Sequence, residues 1–292
     1  MLLWRDRLPA SNREESDDVN RVADVKGGPF KLARPAIRYM DPAVLRDDMV
    51  DGLTYEAKDV LASESVALAM RTVPREPFVE NEAAAYADRP HHVAGSTVFA
   101  PRTVARLLGA LEPTPGDNCL VVGAGVGYTV ALIADLVGST NVQAIELSQR
   151  LVRIARTNLA ETGHDGVLVE HGDGARGLSQ YAPYDRVLVE PAAVEPPRAL
   201  IEQLAPDGRL VMPRGLGVQE LVTFDGDGMV RDRHGSLAVE PLLVRGEEPG
   251  ALERNRTARE DREHAARSAA RRSGWERNWI DWDDRGSSFT RQ

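Results

Sequence analysis

The sequence predicts an α/β protein built on a doubly wound, mainly parallel sheet. Three observations carry this expectation. From residue 117 onward, short apolar runs alternate with helix-length segments, the pattern of strands buried on both faces. One such run, from Cys119, ends in Gly123-x-Gly125-x-Gly127 and passes straight into a helix-compatible segment, Thr129–Leu136. A second run, Val142-Gln-Ala-Ile-Glu146, closes on an acid 23 residues beyond Gly123.

The elements follow in order. Residues 1–40 are polar, are broken by Gly27-Gly28-Pro29 and Pro35, and read as an irregular arm. A helix is expected from Pro42, with Asp41 as its N-cap and proline at its first position. A second runs from Ser63 until Pro74 stops it. A third, Pro101–Leu111, carries Val104, Leu107, Leu108 and Leu111 on one face. The expected strands are 118–122, 142–146, 166–170, 185–190 and 208–213, and the helices between them 128–136, 148–162 and 197–204. Two further strand-like runs, 219–224 and 237–244, flank the turn residues Asp225-Gly-Asp-Gly228. These segments divide the chain into an arm at 1–40, a domain at 41–249 and a charged extension at 250–292.

The glycine turn is where chemistry is expected. A strand that stops at glycines ahead of a helix exposes backbone N–H groups at the helix's positive end, and the missing β-carbons let a ligand approach. Glu146 can accept both hydroxyls of a ribose. After a third apolar run, the acidic turn Gly172-Asp173-Gly174 offers a carboxylate to an adenine amino group. A turn that binds nothing is the plain alternative for the glycines alone; the two acids point to a nucleoside-bearing cofactor. The spacing is not the G-x-G-x-x-G of dinucleotide sites, because Tyr128 fills the sixth position.

G-x-G-x-G resembles the first motif of S-adenosylmethionine (AdoMet) methyltransferases. Several segments together resemble one family of them, the protein-L-isoaspartate O-methyltransferases. They are Met70-Arg-Thr-Val-Pro-Arg-Glu-Pro-Phe-Val79, Ala85-Tyr-Ala-Asp-Arg-Pro90, the glycine loop, His171-Gly-Asp-Gly174, Ala182-Pro-Tyr-Asp185, Ala199–Pro213 and Glu240-Pro-Leu-Leu-Val244. The resemblance spans residues 41–245. It implies a Rossmann-like methyltransferase sheet with an N-terminal helical segment, AdoMet as cofactor, and methylation of the free α-carboxylate of isoaspartyl residues in damaged proteins. It implies cofactor contacts from Gly123, Gly125, Gly127, Tyr128, Glu146, Asp173 and Gly174. Departures gather at the substrate end. Thr97-Val98-Phe99-Ala100-Pro101 stands where the family has Thr-Ile-Ser-x-Pro, so Phe99 takes the place of the active-site serine, and the segment before it is one residue shorter. Val121 replaces the acid that opens the glycine motif, and Glu190-Pro191-Ala192 replaces Thr-Ala-Ala. Catalytic candidates are Thr97 and the Phe99 position; substrate-side candidates are His91, His92, Val98 and Glu190. His91 and His92 are solvated loop residues or carboxylate donors, and Glu190 is an exposed acid or a general base for a hydroxyl or amine.

Composition bounds the rest. The single cysteine, Cys119, lies in an apolar strand and rules out an intrachain disulfide, which with the absence of a leader-like N-terminus points to the cytoplasm. No apolar run approaches the ~18 residues that span a bilayer. His164, His171 and His234 lack metal-ligand spacing, so no metal is expected. Trp275, Trp279 and Trp282 crowd the extension, where they dock on the domain or a partner subunit, or stack on nucleic acid. Residues 40–249 carry net charge −13 against +2 in each flank, which argues against a polyanion partner. Three readings therefore stand: an isoaspartyl carboxyl methyltransferase, an AdoMet-binding paralogue with lost or altered substrate specificity, and a tRNA adenine methyltransferase. With only three lysines, the acidic surface suits high salt, and GC-rich coding gives the same arginine bias. Self-repulsion among acids is screened by cations, so Tm is predicted to rise between low salt and molar KCl in a thermal melt. A flat curve leaves the coding bias as the explanation.

Overall fold

The computed structural model describes residues 41–55, 61, 63–215 and 218–243. The arm at 1–40 and the Trp-containing extension at 250–292 lie outside the described residues. In chain order the elements are α1 (Pro42–Tyr55), α2 (Glu64–Thr72), β1 (His91–Val93), β2 (Ser96–Val98), α3 (Pro101–Leu111), β3 (Cys119–Val122), α4 (Tyr128–Val137), β4 (Val142–Glu146), α5 (Gln149–Glu161), β5 (Leu168–His171), β6 (Tyr184–Val189), α6 (Arg198–Ile201), β7 (Leu204–Arg214), β8 (Gln219–Phe224) and β9 (Val230–Leu237). Asp41 is the expected N-cap, and Ser63, expected as the first residue of the second helix, caps it instead. Asp41 Oδ1 accepts the Ala43 N–H at 2.9 Å, and Ser63 Oγ accepts that of Val66 at 3.4 Å.

The main sheet has seven strands in the order β5-β4-β3-β6-β7-β8-β9. The pairs from β5 to β7 in this order are parallel, and the pairs β7–β8 and β8–β9 are antiparallel. The strands alternate strictly. Cys119 and Val121 enter a core with the faces of α3, α4 and α5, while Leu120 and Val122 enter a second core with Leu178, Tyr184 and Leu200. Burial on both faces is why these runs read as continuously apolar. The chain leaves β3 toward β4 on one side and reaches β6 on the other, so strand order reverses between β3 and β6. In open α/β sheets the ligand crevice lies at such a reversal, beyond the strands' carboxyl ends.

Three expectations are corrected. Residues 238–243 of the run 237–244 form no strand; the last strand is β9, which ends at Leu237 and is largely exposed. Its charged Val-Arg-Asp-Arg-His sequence suits a sheet edge and lacks the apolar signature of an interior strand. The helix expected at 197–204 is only Arg198–Ile201, because Leu204 is already paired with Tyr184 in β7. The polar segment after Pro90 forms a hairpin, β1-β2, with no length of apolar alternation to announce it.

Candidate functional site

The glycine turn sits at the crevice. Its backbone continues the sheet by one step: Gly123 N–H donates to Ile145 O at 2.9 Å and Glu190 N–H to Val122 O at 3.0 Å. Gly123, Glu146 and Glu190 thereby follow three adjacent strands at one rim. Gly123 has φ +88°, and a β-carbon there would stand 2.9 Å from Pro191 Cδ, so the turn requires glycine on both counts. Gly127 starts α4 without any side-chain cap, which leaves first-turn amides available to a ligand.

Glu146 is buried and both its oxygens are used: Oε2 accepts Gly125 N–H at 3.0 Å and Oε1 accepts Ser148 N–H at 2.9 Å. It therefore ties the glycine turn to the start of α5, and its remaining lone pairs are those a ribose would engage. Asp173 Oδ1 accepts Ala175 N–H at 3.0 Å. It lines a cleft of about 570 Å³ with Ile145, Glu170, His171, Arg176 and Gln180. Gly174 packs on Val122, where a β-carbon would come within 2.5 Å of Cγ1. A larger cleft of about 810 Å³, between the start of β7 and the β8–β9 turn, includes none of the expected site residues.

Below the turn lies a group that sequence reading left unremarked. Arg75 is fully buried. Its Nε donates to Ala85 O at 2.8 Å and its Nη2 to Phe99 O at 2.5 Å. Its guanidinium carbon stands 4.5 Å from the centre of the Tyr128 ring, whose other neighbour, Phe78, is 5.4 Å away. Among the described residues it has no ion pair, and neither Arg75 Nη1 nor Tyr128 Oη has a hydrogen bond. Burial pushes the guanidinium below its ordinary pKa, with Tyr128 opposing. The Tyr86 hydroxyl accepts Arg75 N–H at 3.3 Å and donates to Glu76. Arg75 and Phe78 thus flank the Tyr128 ring, and Glu76 is tied to Arg75 through Tyr86, which is the physical content of the Val-Pro-Arg-Glu-x-Phe segment.

The hairpin residues divide between two faces. His91 is buried, with Nε2 3.1 Å from Ala84 O, and burial followed by the nearby Arg75 lowers its pKa. His92 is exposed and its Nδ1 lies 3.1 Å from Thr97 Oγ1. Val98 is buried, and the partly buried Phe99 packs against the main core. Part of Glu190 reaches the crevice, yet burial pushes its carboxyl up to about 8, with the Thr129 hydroxyl opposing and the Glu146 charge adding. His171 Nε2 lies 3.1 Å from Leu147 O and His234 Nε2 2.8 Å from Thr223 Oγ1. Among the described residues no group of three potential ligands gathers for a metal.

Residues 46–238 match the model of the family described as protein-L-isoaspartate(D-aspartate) O-methyltransferase. The chain belongs to that family. The protein-L-isoaspartate O-methyltransferase of Aeropyrum pernix is 44% identical over 221 residues, covering 72% of this chain and 82% of that protein. The one of Methanosarcina mazei is 37% identical over 232 residues, covering 77% and 93%. A solved protein-L-isoaspartate O-methyltransferase aligns with TM-score 0.61 at 26% identity, over 72% of this chain and 69% of that one. A beta-aspartate methyltransferase from Plasmodium falciparum, solved with S-adenosyl-L-homocysteine, shares the fold at TM-score 0.58 and 22% identity, over 68% and 97%.

Glu190 makes stability pH-dependent. Its folded pKa is raised from 4.5 to about 8. Between those values the folded state binds more protons than the unfolded one, so the group's contribution is full at low pH and is lost as pH rises through about 8. Glu190→Gln stays neutral throughout. Thermal melts are predicted to show the variant above wild type at about pH 9 and a flatter profile from about pH 5 upward. Superimposable profiles would show that the carboxyl ionises normally.

Proposed function

We propose that the chain binds AdoMet in the crevice at the carboxyl ends of β3, β4 and β5 and methylates the α-carboxylate of isoaspartyl residues in damaged proteins. The observation that carries this reading is the rim itself: the uncapped start of α4, Glu146 facing it, and the Asp173 cleft alongside, in a chain of this family. The donor set suits the cofactor. Glu146 presents lone pairs to ribose hydroxyls, Asp173 presents a carboxylate to an exocyclic amine, and the glycines leave space against the backbone.

AdoMet supplies a methyl group activated by its sulfonium, and a carboxylate oxygen displaces it without any proton transfer. The chain's residues therefore have to position and to exclude water. The Arg75–Tyr128 clamp holds hairpin and glycine turn together, and the apolar Val98 lies on the hairpin face toward the core. Glu190, held protonated at neutral pH, spares an acceptor carboxylate a second negative charge beside it. The same group would accept a proton from a neutral hydroxyl or amine above about pH 8, which is the basis of the altered-substrate alternative. We propose a cytoplasmic location, which the buried single cysteine supports. Among the described residues no helix is long and apolar enough to cross a membrane.

Calorimetry and labelled methyl transfer test the reading together. Wild type is expected to bind S-adenosylhomocysteine and to label an isoaspartyl peptide but not its aspartyl twin. Glu146→Ala is expected to weaken binding by about 1–3 kcal/mol, the cost of removing a buried acceptor. No binding of AdoMet or S-adenosylhomocysteine in low or molar KCl would contradict the cofactor assignment. Binding without labelling would favour the altered-substrate reading.

A further inference from the structure

The hairpin's register separates its polar residues. His91 is opposite Val98, His92 opposite Thr97, and Val93 opposite Ser96. Opposed residues share a face and successive ones alternate. One face therefore carries His92 with Thr97, whose polar atoms meet each other at 3.1 Å, away from the core. The other carries His91, Val93, Ser96 and Val98. Ser96 Oγ lies 2.8 Å from where a β-carbon on Gly125 would stand, so this hydroxyl sits directly over the middle glycine of the cofactor turn. Ser96 is half-buried, and its side chain makes no hydrogen bond to any described residue.

The tight turn explains why the serine arrives there. Ala94 has φ +53° and Gly95 φ +88°, the doubly positive backbone of a two-residue hairpin. The short loop sets Ser96 at the first position after the turn, on the inward face. The other hydroxyl of the segment, on Thr97, is engaged with His92, and position 99 has none.

We propose that the Ser96 hydroxyl holds the acceptor carboxylate of the substrate over the glycine turn, taking the place of the serine that Phe99 replaces. The inference rests on the carboxyl-methyltransferase reading above. A carboxylate entering this crevice meets the Glu146 carboxylate and needs a donor; a hydroxyl donating to a carboxylate forms a charge-assisted bond. Ser96 binds one carboxylate oxygen and keeps its proton. The other oxygen forms the bond to the methyl carbon, the methyl–sulfur bond breaks, and its electron pair stays on sulfur.

The test uses the full chain and an isoaspartyl peptide. Ser96→Ala is expected to lower kcat/KM by roughly 10- to 150-fold, with Tm and the Kd for S-adenosylhomocysteine unchanged. Ser96→Thr keeps the hydroxyl and is expected to recover most of the loss, which a purely structural role would not produce. Wild-type turnover that Ser96→Ala leaves intact overturns the inference alone. A matching loss of S-adenosylhomocysteine affinity also overturns it, assigning the hydroxyl to the cofactor's carboxylate. Absence of turnover in wild type, with the cofactor bound, removes the carboxyl reading and this inference with it.

Discussion

The site depends on one buried charge. Arg75 reaches three separate stretches of chain: Ala85 and Phe99 through their carbonyls, and the first residue of α4 through the Tyr128 ring. A guanidinium taken out of water is costly unless its donors are met. Two carbonyls meet Nε and Nη2 and an aromatic face meets the plane, Nη1 has no hydrogen bond, and no carboxylate pairs with it among the described residues. That choice has a consequence. A counter-ion would satisfy Arg75 in several arrangements, whereas two directed backbone bonds and a stacked ring fix one. The segment bearing Phe99 is thereby set against the helix that begins at the glycine turn.

The charges above the turn balance differently. Each Glu146 oxygen is held by a backbone N–H, while burial pushes Glu190 toward its neutral form. Two acids at the ends of the strands that flank β3 thus differ because one accepts two amide bonds and the other chiefly loses water. A negative nucleophile can approach a crevice arranged this way more easily than one lined by two anions. Phe99 removes a hydroxyl from the segment, but the shortened hairpin turns another, on Ser96, toward the same turn.

Much of the fold was legible in the sequence, for physical reasons. β3 and β4 are buried on both faces, so their apolar runs mark them plainly, and the glycine turn and Glu146 carry their own chemistry. The cap at Asp41 was readable because capping is local. What escaped depended on contacts between distant segments or on short elements. Arginine is ordinarily a surface residue, and nothing adjacent to Arg75 reveals that Ala85, Phe99 and Tyr128 converge on it. A hairpin of two three-residue strands is too short for alternation to show, so Thr97 and His92 stood as candidates while Ser96, one residue away and on the opposite face, did not. β9 was missed because an edge strand can be charged throughout. The raised pKa of Glu190 follows from burial, which a sequence position does not disclose.

The central claim is that Arg75 fixes the β1–β2 hairpin on the glycine turn. Amide hydrogen exchange in Arg75→Met, followed residue by residue against wild type, tests it most directly. The account predicts that protection falls in residues 91–98 and at the start of α4, while β3, β4 and β6 keep theirs. Wild-type protection throughout the hairpin, or a loss spread evenly over the sheet, would contradict it.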